Sequence, residues 1–367
     1  MIYLDHASTT YVSPEIIDVI NSTMKESWGN PSNLYDWGIK SKKIINEARI
    51  SIAGSIGANP GEIYFTSGAS EGNAWALNQK PKCLCSAYEH HNIINNPKSV
   101  IIDENYLDMA LTELNLRMQQ DACLPYFGNY LFSHMLVNNE TGEIFPVSRM
   151  TKKAHALGML VHSDLTQALG NISVNVKELG IDMATFTGHK IHAPKGIGFM
   201  YISEDVKEIK PLIYGGGQER GIRAGTENIP YIAGLRIAVN NAVVNRKYKE
   251  VVTSKLKQQL VNGLTEKKLP FIINSPGNSI ASTLNISFKD IEGEALAMLL
   301  NDKEIYVGVG SACNTGDFEP SSVLTAMGVP EDYIRGAMRF SFDVTNTKEE
   351  INKVIEAIDQ GYHELMD

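Results

Sequence analysis

The chain has 367 residues, 43% of them hydrophobic, and carries 33 Lys and Arg against 42 Asp and Glu, for a net charge of -9. A balance this acidic, with a pI near 5.6, excludes a general binder of nucleic acid or acidic membranes, because phosphate-rich surfaces require a basic footprint. The length exceeds what one compact core usually reaches, so two lobes are expected, with small molecules and other proteins as partners.

The N-terminal "MIYLDHASTT" has no basic region followed by an apolar run, so no secretory leader is visible, and residues 1–12 read as an extended lead-in. No later stretch approaches the roughly 20 apolar residues of a membrane span, which points to a soluble, cytoplasmic protein. Ser13-Pro14 places a capping hydroxyl before a proline at the first helical position, predicting a helix over "SPEIIDVINSTMKE". "EIYFT" and "KCLCSAY" read as buried strands flanking the helical "SEGNAWALN". Alternation continues through "LDMALTELNLRMQQ", "NYLFSHMLV", "SRMTKKAHALG", "MLVHSD", "DMATFT" and "GIGFMYI". Strands alternating with helices are the signature of an α/β domain with a mostly parallel sheet.

Beyond a glycine-rich loop at 215–225, the 36 residues from "IPYIAGL" to "LVNGL" predict one long helical stretch leading from the first lobe to the second. "STLNISF", "EGEALAMLLND", "IYVGVGSA", "PSSVLTAMG", "AMRFSF" and "TKEEINKVIEAIDQGYHEL" then read as strand, helix, strand, helix, strand, helix. In the last, Thr347 and Glu350 form a capping box, and Ile351, Val354, Ile355, Ile358, Tyr362 and Leu365 make one apolar stripe. The expected division is an N-terminal segment 1–12, a large domain 13–245 and a smaller α+β domain 246–367.

In a parallel sheet, ligands gather at the carboxyl ends of the strands. Those ends carry "SGAS" at 67–70, "EHH" at 89–91, "NNETG" at 138–142, "HSDLTQ" at 162–167 and "TGHK" at 187–190. Ser67-Gly68-Ala69-Ser70 is either a tight turn with a serine cap or a cradle of backbone N–H groups for an anion. Asp164 ends an apolar strand, where a partly buried carboxylate caps a helix or pairs with a protonated ring nitrogen. Lys190 by itself reads as a surface lysine, but beside those ends it gains a sharper role, since an amine in a suitable pocket forms a Schiff base with an aldehyde. An anion cradle, a carboxylate and a lysine together are the minimum equipment for pyridoxal phosphate.

The loop "YGGGQERGIRAGTEN" is either a flexible surface segment or a device that brings Arg220 and Arg223 to an anion. Arg339, inside the apolar "AMRFSF", must meet an acid, either a substrate carboxylate or a structural ion partner. Cys83, Cys85, Cys123 and Cys313 are too few and too irregular for a disulfide framework, and no metal-ligand spacing accompanies them. Cys313, among small turn-forming neighbours in "VGVGSACNTGDFEPSS", reads as an exposed loop thiol with a use.

Taken in order, "YLDHASTT", "GNPSN", "YFTSGASEGN", "EHHNI", "VNNETGEIFPV", "HSDLTQALG", "FTGHKIHAPKGIG", "GGGQERGIRAGTEN", "GSAC" with "EPSSVL", and "RFS" resemble the cysteine desulfurases. These belong to the class V aminotransferase group with the fold type I pyridoxal 5'-phosphate architecture. The resemblance implies that Lys190 holds the cofactor and later moves protons, that Asp164 meets the ring nitrogen and Gln167 the phenolic oxygen, and that His90 stacks on the ring and serves as a catalytic acid or base. It implies a phosphate site of Ser70, Thr187 and His189, completed by Thr226 from the other subunit of a homodimer. Asn139 and Arg339 would orient the carboxylate of L-cysteine. Cys313 would take its sulfur as a persulfide, leave L-alanine, and pass the sulfur to an acceptor protein serving tRNA thiolation or iron–sulfur cluster assembly. Against the family pattern, Tyr35 stands in place of a histidine and Asp343 in place of a glycine, and an extension that docks a scaffold in some relatives is expected to be missing. A selenocysteine lyase, another carbon–sulfur lyase or aminotransferase, and a catalytically silent cofactor-binding partner are the alternative readings.

Overall fold

A computed structural model of the chain describes residues 1–120, 127–309 and 320–367. The strands among them are, in chain order, β1 (Ile2–Leu4), β2 (Ile63–Thr66), β3 (Lys82–Ser86), β4 (Ser99–Ile102), β5 (Tyr130–Ser133), β6 (Leu160–Asp164), β7 (Met183–Thr187), β8 (Gly198–Ile202), β9 (Phe271–Ile273), β10 (Thr283–Phe288), β11 (Ile305–Val309) and β12 (Ala337–Ser341). Two units share them. One comprises Thr10–Leu136 and Phe145–Val244; the other comprises Met1–Thr9, Val137–Ile144 and Asn245–Asp367.

The first unit is built on a seven-stranded sheet of order β2-β8-β7-β6-β5-β3-β4. Pairings from β7 through β6, β5 and β3 to β4 are parallel, while β8 runs antiparallel to both its neighbours. The parallel neighbours need crossovers, and helices supply them. β7 and β8 are buried at every position, which is why β8 reads as an unbroken apolar run and β7 admits no charged residue. Helix Pro14–Glu26 meets helix Ile229–Val244 at Gly234, where a Cβ would lie 3.0 Å from Ile16 and 3.1 Å from Ile20.

In the second unit the sheet order is β1-β11-β12-β10-β9, with β1 parallel to β11 and the other pairings antiparallel. Its core packs Leu256, Leu260 and Leu264 of helix Arg246–Glu266 with Phe288, Phe340, Ile351, Val354 and Ile358. The N-terminus enters this unit by aligning Ile2 with Ile305 and Leu4 with Val307. Among the described residues no helix is long and apolar enough to cross a membrane.

Most predicted elements occur where expected; the exceptions are informative. The long helical stretch is two helices, Ile229–Val244 and Arg246–Glu266, broken at Asn245, where one unit gives way to the other. Helix Pro14–Glu26 starts after Ser13 as predicted, but the Ser13 hydroxyl makes no cap bond and is buried with no hydrogen-bond partner among the described residues. The amide of Ser13 is committed instead to His192 O at 3.2 Å, and that tie sets the strand-like entry to the helix. β4 and β9 carry no strong periodic signal and were not predicted, since each is a short, half-exposed strand at a sheet edge.

The last helix, Lys348–Met366, forms with both halves of its capping box made, Thr347 Oγ1 accepting from Glu350 N and Glu350 Oε2 from Thr347 N. Thr347→Ala is expected to cost about 1 kcal/mol of stability, with Thr347→Ser nearly neutral, read as a shift of the urea unfolding midpoint.

Candidate active site

Because β2, β3, β5, β6 and β7 all point the same way, the residues that follow them meet along one edge of the seven-stranded sheet. Asp164 closes β6 and is only 7% exposed. A carboxylate buried to that extent needs donors, and it has two: Asn73 Nδ2 gives Oδ2 a bond of 2.8 Å, and Thr166 N gives Oδ1 one of 2.9 Å. Asn73 is itself fully buried on helix Ala69–Asn78 and also donates to Asn92 Oδ1 at 3.2 Å, while its own Oδ1 has no partner among the described residues.

Two residues before Asp164, on the same strand face, His162 is enclosed completely. Its Nδ1 lies 2.9 Å from Ser133 Oγ and its Nε2 2.9 Å from Thr185 Oγ1. Burial pulls its pKa down to about 4, against a smaller upward pull from Asp164, so the imidazole is neutral at pH 7. Glu89, also buried, accepts from Met135 N, and burial together with the Asp164 charge pushes its pKa well above the usual carboxylate range.

The "SGAS" turn carries the chain from β2 into helix Ala69–Asn78, which no side chain caps. Gly68 has φ +152°, and a Cβ there would come within 3.4 Å of Thr187 Oγ1. Gly198, the first residue of β8, sits so close beneath that a Cβ would be 2.9 Å from Gly68 Cα and 2.5 Å from Phe186 O. A cradle of small residues is thus closed by backbone on one side and the Thr187 hydroxyl on the other, with Ser70 exposed on the first helical turn.

His189 and Lys190 lie in the turn Gly188–Lys190 that follows β7, and both are half-buried. Thr10 holds the turn, donating to His189 O from N at 2.8 Å and from Oγ1 at 3.0 Å. Burial, then the charges of Lys190 and Lys195, lower the His189 pKa to about 4, so this ring too is neutral. Gln167 is buried in the turn after β6, whereas His90 is exposed and uses Nδ1 to accept from Asn92 N at 3.2 Å.

The glycine-rich loop resolves in favour of fixed guanidinium groups, and the anion that Arg223 meets belongs to the chain. Arg223 makes two bonds to Glu71, of 2.8 and 3.0 Å; Arg220 lies 3.9 Å over the Tyr64 ring and donates to Ile63 O. Arg49 in turn grips Glu219 of the loop at 2.6 and 2.8 Å. Thr226 is exposed.

In the other unit, Arg339 on β12 meets its acid in Asp5, Nη2 to Oδ1 at 2.8 Å, and Nη1 donates to Asn139 O at 2.9 Å. Its Nε is buried with no hydrogen-bond partner among the described residues. Asn139 and Arg339 therefore come together, as do Ser70, Thr187, Asp164, Gln167, His189 and Lys190 along the sheet edge of the first unit. Cys313 lies outside the described residues. Sequence reasoning missed Asn73, His162 and Thr10. Only the first carried a usable signal, an amide on the helix that starts at the anion cradle.

The chain matches the Aminotransferase class-V family over residues 2–354. It is 36% identical over 381 residues to the cysteine desulfurase IscS of Methanosarcina thermophila, covering 99% of this chain and 92% of that one. A cysteine desulfurase of Trichormus azollae is 37% identical over 372 residues, covering 98% and 92%. Among solved structures, a NifS-like protein from Rickettsia africae superposes with a TM-score of 0.87 at 31% identity over 99% of both chains. SspA in complex with cysteine gives a TM-score of 0.77 at 28% identity, covering 95% of this chain and all of that one.

The neutral, enclosed His162 has a pH consequence. Its folded-state pKa of about 4 lies below the ordinary 6.5, so the unfolded chain takes up a proton first as pH falls. Its contribution is complete above about pH 6.5 and is lost as pH drops toward 4, a difference of up to about 3 kcal/mol. Urea unfolding between about pH 7 and about pH 4.5 should show a shallower acid loss for His162→Asn than for wild type.

Proposed function

We propose residue roles on the premise that the chain belongs to the class V aminotransferase family and is a pyridoxal-phosphate-dependent cysteine desulfurase. The residues present suit that cofactor. The cradle of Gly68, Gly198 and Thr187 at an uncapped helix start suits a phosphate. Asp164, with both oxygens fixed by N–H donors, suits a protonated ring nitrogen, and Lys190 stands on the same sheet edge. When bound, pyridoxal phosphate supplies an electron sink for charge that develops at the substrate α-carbon.

In this reading Ser70, Thr187 and His189 hold the phosphate, and the neutral His189 does so as a hydrogen-bonding group without adding charge. Asp164 pairs with the ring nitrogen, Gln167 with the phenolic oxygen, and His90 packs on the ring. Thr226, exposed on a single chain, reaches the phosphate of a second copy in a homodimer. Lys190 holds the cofactor and moves a proton at the substrate α-carbon. Arg339 and Asn139 orient the carboxylate of L-cysteine.

The Cys313 thiolate attacks the substrate sulfur. An S–S bond forms as the Cβ–S bond breaks, and the electron pair released to carbon is quenched by a proton, giving alanine. One cysteine and one thiol become one alanine and one persulfide, so the step needs no outside oxidant. A second thiol, on an acceptor protein, then takes the sulfur. Chemistry that leaves a reactive thiol on the chain suits a reducing compartment, and we place the protein in the cytoplasm.

The burial of Asp164 at the strand edge that also carries Lys190 is the observation that bears most of this reading. Wild-type protein loaded with pyridoxal phosphate should release alanine and sulfide in equal amounts from L-cysteine in the presence of a thiol reductant, and Cys313→Ala should release neither. No alanine from the loaded wild type would overturn the residue roles; turnover of selenocysteine, but not cysteine, by Cys313→Ala would point to a selenocysteine lyase. Asp164→Ala is expected to lower kcat by about 10²-fold or more and to alter the absorbance of the bound cofactor, because it removes a preorganised charge at the reacting centre.

A further inference from the structure

Residues 137–144 form a hairpin whose turn is set by one side chain. Asn138 Oδ1 accepts from Glu140 N and Thr141 N, each at 2.9 Å, and from Thr141 Oγ1 at 3.2 Å. The hairpin is tied to the 275–285 segment of its own unit: Ser275 Oγ donates to Thr141 O at 2.7 Å, Ile280 N to Gly142 O at 2.8 Å, and Asn285 Nδ2 to Glu140 O at 3.3 Å. Gly142, at φ +74°, is packed so that a Cβ would lie 3.0 Å from Thr283. A turn held in this way is a rigid base for anything bonded to it.

Arg339 and Ser321 of the same unit are bonded to it as well. Asn139 O takes the Arg339 guanidinium at 2.9 Å. Glu140 Oε2 takes the hydroxyl of Ser321 at 2.5 Å. Ser321 also accepts from Leu324 N and so caps helix Ser322–Ala326. It stands eight residues after Cys313 in sequence. One short turn thus grips both the arginine and the chain that follows the cysteine, and the second grip depends on a single carboxylate.

We propose that Glu140 is a positioning residue for sulfur transfer: its carboxylate, through Ser321, anchors the chain that follows Cys313 to the hairpin that also sets Arg339. The proposal rests on the assignment of Cys313 as the sulfur acceptor. Because Arg339 is held by a backbone carbonyl, truncating the Glu140 side chain separates the two grips. Substrate binding should persist while the reaction at Cys313 slows.

The test uses full-length protein loaded with pyridoxal phosphate and follows the first-turnover persulfide on Cys313 by mass spectrometry. L-alanine binding is read from the cofactor absorbance, and thermal unfolding monitors folding. Glu140→Ala should slow persulfide formation by about tenfold, the scale of one charge-assisted hydrogen bond, and leave alanine binding within about twofold. Glu140→Gln, which still accepts from the Ser321 hydroxyl, should stay within about threefold of wild type. Ser321→Ala, which also loses the helix cap to Leu324 N, should be at least as slow as Glu140→Ala, and the double variant should be no slower than Ser321→Ala, because the bond to Glu140 is already gone. Additive effects in the double variant, an unchanged first turnover in Glu140→Ala, or equal losses of alanine binding and persulfide formation would each overturn the proposal. Wild-type protein that forms no persulfide on Cys313 would instead overturn the catalytic assignment on which it rests.

Discussion

A carboxylate at the end of a buried strand has to be supplied with donors, and the first unit is organised around meeting that demand at Asp164. Asn73 meets it from helix Ala69–Asn78, and the reach of an amide side chain fixes how closely that helix must lie over β6 and β7. The seating is tight: a Cβ on Gly72, one residue before Asn73, would fall 2.7 Å from Thr185 Cγ2. Seated there, the helix brings its uncapped start to the Thr187 hydroxyl. The donor to Asp164 and the cradle of small residues at Gly68 are therefore two consequences of one helix position.

The groups enclosed around Asp164 are biased toward their neutral forms. His162 sits between two hydroxyls with its pKa held near 4, and burial and the Asp164 charge push the Glu89 pKa well above the usual carboxylate range. A second charge in this interior would require its own partner, and like charges at short range would oppose each other. The arrangement limits the charge that surrounds Asp164 at the strand edge. His189, neutral through burial reinforced by the charges of Lys190 and Lys195, contributes a hydrogen-bonding group beside Lys190 rather than a second positive charge.

The second unit reaches the same end by different means. Asp5, Asn139 and Arg339 come from three distant parts of the chain and meet through β1, a hairpin and β12. The guanidinium is held on two sides, by Asp5 and by Asn139 O, which limits its orientational freedom. Glu140 extends the same economy of construction to Ser321, using a turn already braced by backbone bonds.

Much of this was legible in the sequence, because it is local. Strand and helix alternation, the capping box at Thr347, the apolar stripe of the last helix and the polar residues at the strand ends all follow from periodicities of a few residues and from turn chemistry. Lys190, Asp164 and the "SGAS" turn could be singled out for the same reason. Tertiary structure decided the partners: Asn73 meets Asp164 across 91 residues, Ser321 meets Glu140 across 181, and Arg339 meets Asp5 across 334. It also broke the predicted long helix at Asn245, a residue whose propensity permits either outcome, because the chain passes there from one core to another. Periodicity says which face of an element is apolar; which donor reaches a buried acceptor depends on how those faces pack, and no local pattern encodes that.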